Sequence, residues 1–166
     1  ADVRSSVRAK ATEAAELRAR TLAEGGEVIA AAARALRERF DRGGRLLALG
    51  NGGSATDAMD LVADLRHPPP GSGWMPRLAL DLTEDPAILT AIGNDVGVAE
   101  VFQRQVIAHG RAGDALIAFS TSGGSANVIE ALAEAGRRGL ATIAMVGYDG
   151  GRIASEGLAD HLVAVP

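Results

Sequence analysis

Two stretches decide how this chain folds: RLLALGNGGSATDA at 45–58 and ALIAFSTSGGSANV at 115–128. Each opens on a short apolar run, 45–49 and 115–119, that is continuous rather than alternating. Continuous apolarity suits a strand whose sheet is covered on both faces. Each run then enters a turn rich in small residues, Gly50-Asn51-Gly52-Gly53-Ser54 in one case and Ser120-Thr121-Ser122-Gly123-Gly124-Ser125 in the other. Helical sequence follows both. A strand–loop–helix unit that occurs twice is a firmer sign of an α/β chain than one glycine-rich turn alone.

Runs of the same kind recur at 77–81, 141–146 and 161–165, with helical segments expected over 55–66, 85–92, 98–109 and 126–138. Strands alternating with helices predict a five-stranded parallel sheet with right-handed crossovers, a doubly wound three-layer αβα sandwich. The stretch HPPPGSGW at 67–74 reads as a loop. Upstream, 1–24 is alanine-rich and charged, and after Gly25-Gly26 apolar residues recur at Val28, Ala32, Leu36 and Phe40 until Gly43-Gly44. An N-terminal helix pair over 1–43 is therefore expected, packed on the sandwich of 44–166 or on another subunit. No linker-like composition divides the chain, so 1–166 reads as a single domain.

The 166 residues are 47% hydrophobic and 23% charged, which fits neither a disordered segment nor a membrane protein. No apolar run reaches the ~18 residues of a spanning helix, and the N-terminus does not resemble a secretion signal, so a cytoplasmic location is the expectation. A net charge of −4, with one Trp, one Tyr and three Phe, gives no basis for binding nucleic acid. Cysteine is absent, which removes disulfides, thiolate metal sites and thiol nucleophiles together. Lys10 is the only lysine, and His67, His109 and His161 lie far apart without ligand spacing. Chemistry must come from carboxylates, hydroxyls, backbone amides and a few histidines.

The 120–125 loop suits that supply. Beyond the carboxyl end of a parallel strand, helix N-termini gather and anions bind. Four hydroxyls, at Ser120, Thr121, Ser122 and Ser125, stand among glycines that let the backbone approach a phosphate. The GK[ST] ending of a nucleotide-binding P-loop is missing, as is G-x-G-x-x-G, so no nucleotide cofactor is expected. A plainer reading makes Ser125 a helix N-cap, and four hydroxyls exceed what one cap uses. In the first loop Ser54 and Asp57 have capping-box spacing, which leaves Asn51 and the glycines free to face a ligand. Asn94-Asp95, between Gly93 and Gly97, reads either as an αL turn or as a ligand-facing loop. The run 147–151 reads as a turn, and His109 as a structural residue at a helix C-terminus.

Asp57, Asp60 and Asp64 fall on one face of the helix after the first loop. A solvated acidic face is one reading. The other is functional, because residues four apart converge and Asp60 with Asp64 could form a proton-transfer pair or a weak metal site.

Four runs, GNGGSATDA (50–58), LTAIGNDVG (89–97), STSGGSANV (120–128) and GYDGG (147–151), resemble the sugar isomerase (SIS) domain family. The resemblance is nearest to the branch that interconverts sedoheptulose 7-phosphate and a heptose 7-phosphate. It implies a flavodoxin-like fold and a homotetramer with sites at subunit interfaces. By position, it implies that Ser120, Thr121, Ser122 and Ser125 hold the sugar phosphate. Asn51, Gly52 and Gly53 match one substrate loop, and Asn94 and Asp95 a second. The family's helix after the first loop carries a histidine and, four residues on, a glutamate, which act as metal ligands and catalytic groups. Here those positions are Asp60 and Asp64. Zinc or another divalent metal is implied as cofactor, with further ligands from a helix expected after Pro166. Asp64 is then the candidate base for an aldose–ketose isomerisation, with Asp60 as its partner or a metal ligand. The altered pair leaves open a non-catalytic module that binds a sugar phosphate and a protein partner, and an isomerase for another phosphorylated ketose.

Overall fold

The computed structural model describes residues 2–166. Its elements are α1 (Val3–Asp41), β1 (Leu46–Gly50), α2 (Gly53–Arg66), β2 (Ala79–Asp81), α3 (Pro86–Asp95), a 3-10 turn (Val98–Glu100), α4 (Val101–His109), β3 (Ala115–Ser120), α5 (Ala126–Arg137), β4 (Ala141–Gly147), α6 (Gly151–Ser155) and β5 (His161–Val165). The five strands are all parallel in the order β2-β1-β3-β4-β5, so the expected three-layer sandwich is the fold observed.

Continuous apolar runs become two-faced strands. Along β1, Leu46 and Ala48 face one layer while Leu47 and Leu49 face the other, and all four are buried. The first layer is covered by Ala32 of α1 with Ala58 and Val62 of α2. The second is covered by Val101, Phe102 and Val106 of α4, Val128 and Leu132 of α5, and Ile153 of α6. At the opposite end from the glycine loops, the buried Asp114 carboxylate accepts from the Arg45 N–H at 2.9 Å and the Arg111 N–H at 3.1 Å. That ties the entries to β1 and β3 together.

Two expectations are corrected, and one helix is added. The N-terminal helix pair is one helix of 39 residues, Val3–Asp41. Gly25-Gly26 does not break it, because the half-buried stripe of Leu17, Thr21, Gly25, Ile29, Leu36 and Phe40 runs through the glycines without a phase shift. Glycine costs a helix about 1 kcal/mol relative to alanine, which packing of the flanking turns outweighs. The Asn94-Asp95 turn is the last turn of α3 instead, and positive φ waits until Gly97, at +127°. The 147–151 turn leads directly into the short helix α6, which sequence periodicity missed. Among the described residues no helix is long and apolar enough to cross a membrane.

Candidate functional site

From β1 the chain crosses to β2 on one side, whereas β3, β4 and β5 extend the other. The loops after β1 and β3 therefore diverge at a topological switch point, where open α/β sheets hold ligands. Both repeated loops sit there.

The loop after β3 is held from behind. The N–H of Gly147 donates to the Thr121 carbonyl at 3.0 Å, and the N–H of Ile153 donates to the Gly123 carbonyl at 3.0 Å. The backbones meet so closely that a Cβ on Gly123, whose φ is +60°, would lie 1.9 Å from the Gly150 oxygen. On Gly151, with φ +52°, it would lie 2.3 Å from the Ser122 oxygen. The run Gly147-Tyr148-Asp149-Gly150-Gly151 is thus the back wall of the hydroxyl loop. Three glycines in five residues were the signal for it in the sequence.

Ser125 occupies the N-cap position of α5 with its backbone extended, yet its side chain makes no cap bond. Its hydroxyl and the Ala126 and Asn127 N–H groups remain open to a ligand, with the positive end of the helix dipole behind them, whereas the Val128 N–H donates to the Ser125 carbonyl at 3.1 Å. The Ser122 hydroxyl oxygen accepts from the Gly124 N–H at 3.2 Å and shapes the turn. Ser54 is not a cap either: Gly52, with φ +55°, takes that place and puts Ser54 inside the first turn of α2.

A cavity of about 520 Å3 lies beside this loop, lined by Ser120 and Thr121, by Ser54, Asp57 and Asp60 of α2, and by the ends of β4 and β5. A neighbouring cavity of about 460 Å3 shares Thr121, Gly147 and Val165 with it and adds Glu13, Glu16 and Arg20 of α1. Arg20 thus stands beside a loop that has no cation of its own. The sequence reading gave α1 a packing role alone, because only the tertiary fold lays its N-terminal half against β5.

The structure separates some residues that the sequence grouped. Asp60 opens on the cavity beside the hydroxyl loop, whereas Asp64, one turn on, lines a groove with Arg37, Asp41 and Trp74. Helical spacing put the two carboxylates on one face, but a groove between α1 and α2 captures the second. Asn51 and Gly52 line a third cavity, of about 510 Å3, with Thr83, Phe102 and Asn127. Gly53 opens α2. Asn94 and Asp95 are exposed at the end of α3, where the Asn94 amide donates to the Asp95 carboxylate at 2.8 Å, and they line none of these cavities. Asn127, which the sequence reading passed over, is buried and exchanges hydrogen bonds with Asn51.

The carboxylates Asp57 and Asp60 could contribute to a divalent metal site. Among the described residues, however, no three His, Asp or Glu side chains are assembled to hold one. The donor set among the described residues does not complete a zinc centre.

The model of the SIS domain matches residues 11–147. Phosphoheptose isomerase from Chlorobium phaeobacteroides is 47% identical over 148 residues, covering 88% of this chain and 65% of that protein. Phosphoheptose isomerase from Nitratidesulfovibrio vulgaris is 41% identical over 170 residues, covering 99% of this chain and 77% of its own length. Against the first two curated relatives the chain spans 65% and 66% of their length. Among solved structures, a phosphoheptose isomerase from Neisseria gonorrhoeae superimposes with a TM-score of 0.90 at 40% identity, over 99% of this chain and 86% of that one. The sugar isomerase domain of a transcription factor from Sphaerobacter thermophilus reaches a TM-score of 0.63 at 25% identity, over 92% of this chain and 71% of its own. With the hydroxyl loop at the switch point, the α/β topology and the family model in agreement over most of its length, the chain belongs to the SIS domain family.

Proposed function

We propose that this chain is an aldose–ketose isomerase acting on sedoheptulose 7-phosphate, working in the cytoplasm as a homotetramer. The observation that supports the reading is the hydroxyl loop at the switch point, whose Ser120 and Thr121 share a cavity with Asp57 and Asp60 and whose Ser125 makes no cap bond at the start of α5. The loop holds the phosphate at C7, which leaves C1 and C2 to reach the wall formed by α2. Asp60 stands on that wall and takes the proton from C1 as the C2 carbonyl becomes a hydroxyl. The resulting enediol is reprotonated at C2 while the C1 hydroxyl gives up its proton to form the aldehyde. Fixing one end of a flexible polyol while a carboxylate waits at the other lowers the entropic part of the barrier. Exposed apolar side chains on α1 (Val3, Val7, Leu22) and near the 67–74 loop (Trp74, Met75, Leu78) support assembly with further copies.

Conversion of sedoheptulose 7-phosphate, followed by NMR, tests this. Asp60→Asn is expected to lower kcat by about 10²–10⁴-fold, the usual contribution of a positioned base, and Asp64→Asn to leave most of it. The reverse result moves the base to Asp64, where the family motif places a glutamate. Preference for a five- or six-carbon sugar phosphate in competition binding would change the substrate but not the reaction.

A second reading is a sugar-phosphate-binding module that regulates a protein partner. It is favoured by Asp60 and Asp64 standing where the family carries histidine and glutamate, and a relative at 25% identity is a transcription factor. Tight binding without turnover, with zinc present or absent, would establish it.

A further inference from the structure

Asn51 was expected to face the ligand with a free amide. Instead its Nδ2 donates to Asn127 Oδ1 at 2.9 Å, and Asn127 Nδ2 donates back to Asn51 Oδ1 at 2.9 Å. Asn51 lies in the β1–α2 turn, where its own carbonyl accepts from the Ser54 N–H at 3.0 Å and starts α2. Asn127 is the second residue of α5, two positions beyond Ser125, and is 8% exposed. The paired amides therefore join the two glycine loops at the tips of the neighbouring strands β1 and β3. They do so in the cavity of about 510 Å3, which does not include Ser120 or Thr121.

We propose that Asn127, clasped to Asn51, is a positioning residue that sets the direction of the first turn of α5 and hence of the phosphate-binding loop. The inference rests on the phosphate site proposed above. A reciprocal amide pair suits this task, because each side chain both donates and accepts, so the pair has one mutual arrangement and no net charge. Neither partner touches the phosphate through the bonds of the clasp. The pair acts through the helix that carries Ser125 and the open N–H groups. The two partners differ in burial, and that difference gives the clasp a signature. Removing Asn127 leaves the exposed Asn51 amide to water, whereas removing Asn51 strands a buried amide.

The test is calorimetric titration of the full chain with inorganic phosphate and with sedoheptulose 7-phosphate, for the wild type, Asn51→Ala, Asn127→Ala and the double variant. Each single variant is expected to weaken both ligands roughly tenfold, the scale of one lost hydrogen-bonded contact. The double variant is expected to be no weaker than the worse single one, because either change abolishes the same pair. Asn51→Ala lowers the melting temperature more than Asn127→Ala. In turnover KM rises while kcat stays within a small factor, as loss of ground-state binding requires. Asn127→Asp keeps the shape and supplies a second check. Ionised, it opposes the Asn51 carbonyl oxygen; protonated, it can donate to it. Its affinity relative to wild type at the same pH should therefore recover as pH falls through the carboxylate range, near about 4. Wild-type affinity in Asn127→Ala, or a loss in Asn51→Ala that Asn127→Ala does not share, overturns the clasp. A wild-type protein that binds neither ligand overturns the phosphate site itself, and the clasp's role with it.

Discussion

Gly123→Ala puts the geometry of the hydroxyl loop to its sharpest test. At φ +60° an alanine pays the left-handed penalty of about 1–2 kcal/mol. The new methyl would also begin 1.9 Å from the Gly150 oxygen and 3.1 Å from the Gly151 nitrogen, where an ordinary contact is 3.4–4 Å. Both neighbours are backbone, so no rotamer change relieves the clash and the 147–151 segment must move away. Forcing such a shift in a close-packed region costs about 1–3 kcal/mol more. The whole effect is about 2–5 kcal/mol, at 2–4 °C of melting temperature per kcal/mol for a chain of this size, together with loss of phosphate affinity. Two neighbouring glycines serve as controls. Gly52, at φ +55° with open space around it, should show the conformational cost alone. Gly124, with no positive φ and its nearest neighbour at 3.8 Å, should accept alanine with little change. Thermal and urea unfolding rank the three, and titration with phosphate reads the loop. A Gly123→Ala protein as stable and as tight as Gly124→Ala would refute the interlock.

Two further outcomes follow from the same geometry. Ser125→Ala should change stability by less than about 0.5 kcal/mol, rather than the ~1 kcal/mol of a working N-cap, while weakening phosphate binding several-fold. A large stability loss with unchanged affinity would make Ser125 a cap after all. On the far side of the molecule, the Arg138 and Arg137 guanidiniums hold the Glu134 carboxyl below its ordinary value of 4.5, with Arg138 the stronger cause. A depressed carboxyl stabilises the fold above its unfolded pKa and loses that contribution as pH falls through the lower folded value. The stability gap between wild type and Glu134→Gln should therefore be constant at neutral pH and shrink below about pH 4.5. A gap that persists into acid would show that the fork contributes nothing electrostatic.

What the sequence determined by itself was everything carried by local pattern. Unbroken apolar runs such as Leu46–Leu49 announced strands covered on both faces, and their alternation with helical stripes announced a parallel sheet. The position of the hydroxyl loop between a strand and a helix was legible for the same reason, since its residues are contiguous. The tertiary structure decided whatever depends on residues that meet across the chain. Only packing carried α1 straight through Gly25-Gly26, because local propensity costs a helix less there than the sheet returns. Helical spacing placed Asp60 and Asp64 together, but the neighbours of each lie on other elements, and those neighbours sent one to the loop cavity and the other to a groove with α1. Asn51 finds Asn127 at a separation of 76 residues, and Gly123 finds Gly150 on a different strand's loop. A chain read locally shows which groups can bond. Which partner each one reaches depends on loop closures between distant segments, and those are fixed only when the whole core has formed.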